Sequence, residues 1–180
     1  MDFEGLQRGE WGQFWALYEE AFPPLERNPR CLVRHCARRG IYQLLGAKEG
    51  GELLGFWAVA VQKDLLLLDY LAVRREQRGR GLGSALLEEL GRRYPGRRVI
   101  LMLERPEADS KNQEERLRRQ RFYRKNGFAP TGGVVASANG PMELWSRGGF
   151  VSMEEYLGIQ AYALGAFLFR RCGIRPIVSA

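Results

Sequence analysis

Apolar residues early in the chain recur every three or four positions. Trp11, Phe14, Trp15, Tyr18 and Phe22 form one stripe of a helix. Pro23-Pro24 ends it, since proline lacks an amide donor and clashes with a preceding helical turn. A shorter helix is predicted from about Arg30 to Arg39, with Leu32, Val33 and Cys36 inward and Gly40 closing it. Strand signals follow. Ile41 to Lys48 and Leu53 to Val61 flank Glu49-Gly50-Gly51, which reads as a hairpin turn, and Lys63-Asp64 turns the chain into Leu65 to Val73. Loops this short cannot join parallel strands, so these segments predict an antiparallel meander.

After Val73 the pattern changes. A loop rich in glycine and arginine leads into a predicted helix from about Leu82 to Tyr94, with Leu82, Leu86, Leu90 and Tyr94 at helical intervals and Pro95-Gly96 as its stop. Val99 to Leu103 is a continuous apolar run, as a buried parallel strand requires. Strand, helix and strand at this spacing predict a right-handed crossover. A further helix, Glu114 to Asn126, ends at Gly127, and strands are expected near Phe128 to Ala136 and Met142 to Ser146. A final helix is predicted from Ser152 to Arg171. Its most apolar run, Tyr156 to Phe169, contains Gln160 and is well short of the roughly 20 residues that cross a bilayer, so it reads as a buried helix.

A chain of 180 residues fits one domain with a single core. Its 45% apolar and 27% charged content argues against disorder. The net charge of +7 points toward an anionic partner. Only four of the 28 basic residues are lysines (Lys48, Lys63, Lys111, Lys125), and arginine grips phosphate with a planar fork where lysine acts as a point charge. A polyanionic cofactor, a nucleic acid or a biased genome would each account for the excess, as would arginines that are merely solvated. The three cysteines are an odd number in a chain able to bury a core, which predicts a reducing compartment rather than a disulfide framework. Cys31, His35 and Cys36 fit no zinc spacing, so no metal is expected. Met1 to Glu4 lack the basic start and apolar stretch of a signal peptide, and a cytoplasmic protein is expected.

The chemistry concentrates in Arg74-Arg75-Glu76-Gln77-Arg78-Gly79-Arg80-Gly81-Leu82-Gly83-Ser84, between a predicted strand and a predicted helix. Glycines there let backbone N–H groups approach a ligand with no Cβ in the way. The first turn of the helix adds unpaired donors and the positive end of its dipole, an anion site used most often for phosphate. No lysine follows Gly83, which removes the Walker loop. A dinucleotide fingerprint fails too: counted from Gly79 its last position is Ser84, and counted from Gly81 it is Leu86. A glycine-rich turn with no ligand remains the plain alternative.

The segment resembles the GNAT superfamily of N-acetyltransferases. Their pyrophosphate signature, Arg/Gln-x-x-Gly-x-Gly/Ala, is met by Arg78, Gly81 and Gly83. Leu68 to Val73 looks like the strand whose backbone pairs with pantetheine, and Phe122-Tyr123-Arg124-Lys125-Asn126-Gly127-Phe128 resembles the family's helix end followed by Gly-Phe. The resemblance covers roughly residues 11 to 146, and best 65 to 128. The stretch Phe22 to Arg27 also looks like the loop between the first two helices in some bacterial members. It implies an α/β (α+β) fold with a central mixed, mostly antiparallel sheet, a β-α-β crossover and flanking helices. Residues 1–150 would form the acyl-CoA-dependent domain, with 151–180 a helical extension packed on it. Acetyl-CoA would be the co-substrate, contacted by Leu71, Ala72 and Val73 and by Arg78, Gly79, Arg80, Gly81, Leu82, Gly83 and Ser84. One departure stands out. Where many members carry asparagine seven residues before the helix-end tyrosine and alanine four before it, this chain has Arg116 and Arg119, expected to form a solvated face or to reach the cofactor's phosphates.

Acyl transfer to an amine needs a free amine, a polarised thioester carbonyl and a proton for the leaving thiolate. The resemblance assigns carbonyl polarisation to backbone N–H groups within Leu71 to Val73, acting as oxyanion-hole donors do. Tyr123 suits the proton donor, because a phenol with pKa near 10 is protonated at neutral pH, unless it only packs beside Phe122. Glu104 is the first candidate to take the ammonium proton through water, because it ends the strand after the crossover, where open α/β sheets place ligands. Asp69 and the more remote Glu26 are alternatives, and a solvated rim glutamate is the plain reading of Glu104. Two other functions compete: a catalytically silent acyl-CoA-binding module, which a thiol-release assay would separate, and a basic nucleic-acid-binding protein, for which no helix-turn-helix or interleaved exposed aromatics are found. Acceptor identity is not encoded in any motif, and a monomer or a homodimer is equally compatible.

Overall fold

Prolines and glycines close most helices where the sequence places them. The computed structural model describes residues 1–106, 112–137, 140–165, 169–170 and 173–177. It forms two compact units, one of Met1–Val61 with Leu68–Gly96 and one of Gln62–Leu67 with Arg97–Ala180.

The first unit carries β1 (Asp2–Gly5), α1 (Trp11–Ala21), α2 (Arg30–Arg38), β2 (Tyr42–Glu49), most of β3 (Glu52–Gln62), the later part of β4 (Leu65–Val73) and α3 (Leu82–Arg93). β1 pairs antiparallel with β2 (Asp2 opposite Lys48) and β2 with β3 (Tyr42 opposite Ala60), while β4 follows β3 in the sheet order. The α1 stripe buries Phe14, Trp15, Leu17 and Tyr18, and Phe14 lies 4.5 Å from Phe56 on β3, ring centre to ring centre. Burying side chains of this size stabilises by about 1.5–3 kcal/mol each, far more than the helix gains from propensity. α2 buries only Val33 and Cys36, which leaves its basic residues outside. Gly55 on β3 is required by crowding: a Cβ there would lie 2.9 Å from the Ala72 carbonyl oxygen and 3.0 Å from the Leu86 side chain. β4 and α3 close onto β3 at this point. Arg93 then ties α3 to the edge strand, donating to the Phe3 carbonyl at 2.7 Å.

In the second unit Leu65–Leu67 of β4 pair parallel with β5 (Arg98–Glu104). β5 pairs antiparallel with β7 (Gly140–Arg147), β7 with β6 (Ala129–Ser137), and β6 with the short β8 (Arg175–Pro176). The chain between β4 and β5 runs through α3, the expected crossover. α4 (Gln113–Lys125) and α5 (Met153–Leu164) complete the unit. Ser152 caps α5, accepting from the Glu155 N–H while Glu155 reaches back to the Ser152 N–H, a reciprocal capping box. Arg98 holds the same helix end through Glu155 at 2.6 Å, and it also grips Asp64 at 2.7 Å and the Phe150 carbonyl at 2.8 Å. α5 buries Tyr156, Ile159, Gln160 and Ala163. The amide of Gln160 donates to the Tyr156 hydroxyl at 3.0 Å, which is how a polar residue sits inside the apolar run.

The mixed, mostly antiparallel sheet with its crossover and flanking helices matches the sequence expectation. Three details differ. β1 and β8 carry no alternation of their own and exist as strands through pairing with a neighbour. The last helix is interrupted after Leu164, where Gly165 adopts φ +77°, and within its expected span Phe169 and Arg170 are again helical, the Phe169 N–H donating to the Gly165 carbonyl at 2.9 Å. Positions 166–168 and 171 of that expected helix, with Cys172, lie outside the described residues. Among the described residues, no helix is long and apolar enough to cross a membrane.

Candidate functional site

In the first unit, the exit of β4 is anchored before the glycine loop begins. The Arg74 N–H donates to the Leu54 carbonyl at 2.8 Å and its Nε to the Leu53 carbonyl at 2.6 Å. One 3₁₀ turn over Arg75–Gln77 follows, and Arg78 folds back so that its Nε donates to the Val73 carbonyl at 3.2 Å. Gly79 (φ +78°) and Gly81 (φ +86°) are left-handed, and the space where their Cβ atoms would stand is open. Conformation, not crowding, demands glycine at both. Gly81 is the residue from which α3 starts, and its carbonyl accepts the Ala85 N–H at 3.0 Å. Leu82, Gly83 and Ser84 form the first helical turn. Leu82 is buried and fixes the helix end, and no side chain caps the N–H groups of that turn. With Arg78 and Arg80 exposed on the approach, an uncapped, positively polarised helix end stands at the close of β4. On the strand itself Ala72 is buried, whereas Leu71 and Val73 are half-buried.

The same unit holds a cluster whose membership no local motif reveals. Asp69, two residues before Leu71 on β4, accepts the hydrogen of the Tyr42 hydroxyl and stands 3.4 Å from the Asn28 side-chain amide. Asn28 is itself pinned. Its N–H donates to the Tyr70 hydroxyl at 3.0 Å, its carbonyl accepts from Tyr18 at 3.3 Å, and Tyr70 donates to the Glu26 carbonyl at 3.3 Å. Burial raises the Asp69 carboxyl to about 6, and the Tyr42 hydrogen bond opposes the rise. A carboxylate so poised changes charge close to neutrality, the range a general base works in. Tyr18 is pushed up to about 12 and Tyr42 well above its ordinary value, both chiefly by burial, so these phenols stay protonated as donors.

In the second unit, α4 carries Tyr123 in its last turn and brings Arg116 and Arg119 to Glu104 at the end of β5. The helix closes on Gly127 (φ +81°), with the Phe128 N–H bonded to the Tyr123 carbonyl and the Gly127 N–H to the Arg124 carbonyl, each at 3.0 Å. This Schellman closure fixes Tyr123 in the last turn. Its ring packs edge-on against Phe122 at 5.0 Å and Phe128 at 5.4 Å. Burial raises the phenol to about 12, with Arg119 pulling the other way. Among the described residues no group hydrogen bonds to the Tyr123 hydroxyl.

Glu104 is not a solvated rim residue. Its Oε1 pairs with Arg116 at 3.3 Å and its Oε2 with Arg119, leaving its side chain 11% exposed. Arg116 also donates to the Arg105 carbonyl at 2.7 Å, and its Nε is buried without a partner. The two arginines that replace the family's asparagine and alanine therefore form neither a solvated face nor a free phosphate grip. They clamp the end of β5 to α4, and Arg119 lies one helical turn before Tyr123. Among the described residues, no group of three histidine, cysteine, aspartate or glutamate side chains is placed to hold a metal ion.

The family model for the acetyltransferase (GNAT) domain matches residues 40–130, about half of the chain. No curated protein matches the sequence. Among solved structures, a GNAT-family protein from Bacteroides thetaiotaomicron superposes with TM-score 0.72 at 20% identity, covering 97% of this chain and all of its own. The aminoglycoside 6'-N-acetyltransferase of Enterococcus faecium gives 0.63 at 19% identity, over 82% of this chain and 96% of its own. The ribosomal-protein-S18-alanine N-acetyltransferase of Escherichia coli gives 0.58 at 18% identity, over 85% and 96%. At these identities the likeness is one of fold.

Proposed function

The chain belongs to the GNAT acetyltransferase family, and from that premise we propose which of its residues carry acetyl transfer from acetyl-CoA to an amine. The backbone of Leu71, Ala72 and Val73 lies along the pantetheine arm and polarises the thioester carbonyl. The pyrophosphate rests on the N–H groups of Gly79, Arg80, Gly81, Leu82, Gly83 and Ser84, with Arg78 beside them. The observation that carries this reading is the uncapped first turn of α3, entered through two left-handed glycines.

The acceptor nitrogen attacks the thioester carbon, the C–N bond forms, and the C–S bond breaks as the tetrahedral intermediate collapses. The attacking nitrogen sheds its second proton to water as the intermediate collapses, while Tyr123 gives its proton to the departing thiolate and regains one from solvent. The proton lost by the ammonium passes through water to Asp69, whose pKa near 6 suits the task. Glu104 was the first candidate for that step, but both its oxygens are already engaged by guanidinium groups. Its proposed place is as the anion that holds Arg119 next to Tyr123.

The acceptor is a primary amine on a small molecule or a protein. The enzyme works in the cytoplasm as a monomer or homodimer, with residues 1–150 as the transferase domain and 151–180 as an extension packed on it. Thiol release from acetyl-CoA across a panel of amines, read for wild type and Asp69→Asn, tests this assignment. Wild-type turnover with at least one amine and a clear loss in the variant are expected. Equal rates would remove Asp69 from the mechanism.

A further inference from the structure

Arg74, Arg92, Arg93, Arg98, Arg105, Arg116 and Arg119 each hold a carboxylate. α2 gathers several arginines on one face that do not. Its outer face carries Arg30, Arg34, His35, Arg38 and Arg39, all exposed. Arg30 pairs with Glu19, at 3.0 Å from Nε and 2.5 Å from Nη2. Among the described residues, Arg34, Arg38 and Arg39 have no carboxylate partner.

Arg30, Arg34 and Arg38 border an open groove of about 560 Å³ between α1 and α2, lined also by Trp11 and Trp15. The two indoles stack on each other at 5.2 Å. The Arg34 guanidinium lies over Trp11 at 5.2 Å and that of Arg30 over Trp15 at 5.4 Å. A guanidinium resting on an aromatic face is held flat, so less freedom is lost when its N–H fork takes an anion. Arg30, Arg34 and Arg38 follow one another every fourth residue, a step of about 6 Å along the helix. That step matches the spacing of successive phosphates along a nucleic-acid strand. Planar forks in a row suit phosphates better than point charges would. A membrane surface fits poorly, because the apolar residues of α2 face the core and the indoles lie beneath arginines.

We propose that the α1–α2 groove docks a single-stranded nucleic acid through its phosphates. This goes beyond acetyl transfer and does not rest on it.

The test is fluorescence anisotropy of a labelled single-stranded RNA of about 12 nucleotides, within the site sizes of known strand binders. The full chain is used, with coenzyme A saturating so that the α3 loop cannot take the phosphates. Binding at low salt is expected, with log affinity falling against log salt at a slope of about −2 for three phosphates. R30A/R34A/R38A should weaken binding about tenfold or more. The single variant Arg34→Glu, which leaves the Arg30–Glu19 pair intact, should do so too, with melting temperature and thiol-release turnover unchanged in both. Wild-type affinity in Arg34→Glu, no binding at low salt, or equally tight binding of a labelled poly-glutamate peptide would each overturn the proposal.

Discussion

The hydroxyl of Tyr42 on β2 donates to the carboxylate of Asp69 on β4, so two opposed effects set one titration. Burial lifts Asp69 from 3.8 to about 6, and the Tyr42 hydrogen bond holds it down. If the ionised form accepts the acceptor's proton, kcat/KM rises as pH rises through about 6. Asp69→Asn should erase that limb and lower turnover, and Tyr42→Phe should move it to higher pH. The stability sign is the reverse of the usual carboxylate. The folded state binds this proton more tightly than the unfolded chain, so the group favours folding as pH falls through about 6 toward 3.8. Asp69→Asn should therefore melt no lower than wild type at pH above 7. A pH–rate profile with melting curves alongside checks both statements.

Tyr123→Phe keeps the ring contacts with Phe122 and Phe128 and removes only the hydroxyl. Turnover should fall by about 10²-fold or more, the scale of a lost general acid, while acetyl-CoA affinity stays near wild type. Unchanged turnover with a good acceptor would reduce the residue to packing.

Gly81→Val places a β-branched side chain at φ +86°, a conformation valine scarcely adopts. The loop must rearrange, and calorimetric affinity for acetyl-CoA should be lost. Gly83→Val, in the first turn of α3, should also lose it by setting a side chain against the approaching pyrophosphate. Undiminished affinity in Gly83→Val would dismiss the loop as the phosphate site.

Glu104→Gln leaves Arg116 and Arg119 without their shared anion in a nearly closed place. The variant should lose about 1–3 kcal/mol of stability, the cost of leaving buried polar groups unpaired. The position of the acidic limb should stay near pH 6 because Asp69 is untouched. If that limb instead shifts or disappears in Glu104→Gln, the proton goes to Glu104.

What the sequence made legible was local. The α1 stripe, the turn at Glu49-Gly50-Gly51 and the glycine loop before α3 are each written within a few consecutive residues. The Tyr123 assignment came from a resemblance that likewise spans few positions. The missed features depend on chain folding back. Tyr42 meets Asp69 across 27 residues, which requires the strand order to be known. Arg116 and Arg119 reach back 12 and 15 residues to Glu104, and nothing at those positions names the partner. β1 is only four residues long and takes its register wholly from β2.

Arg98 gives the far end of the chain a different status from that of an appendage. One guanidinium joins the turn at Asp64, its own strand β5 and the start of α5 at Glu155. Its grip draws Glu155 down to about 2, with the Ser152 N–H assisting, so the joint stays charged through ordinary acid conditions. Because the three segments share one cation, freeing any of them disturbs the other two, and α5 gains no separate melting step. In hydrogen exchange its buried amides should open together with those of β5, as one cooperative block.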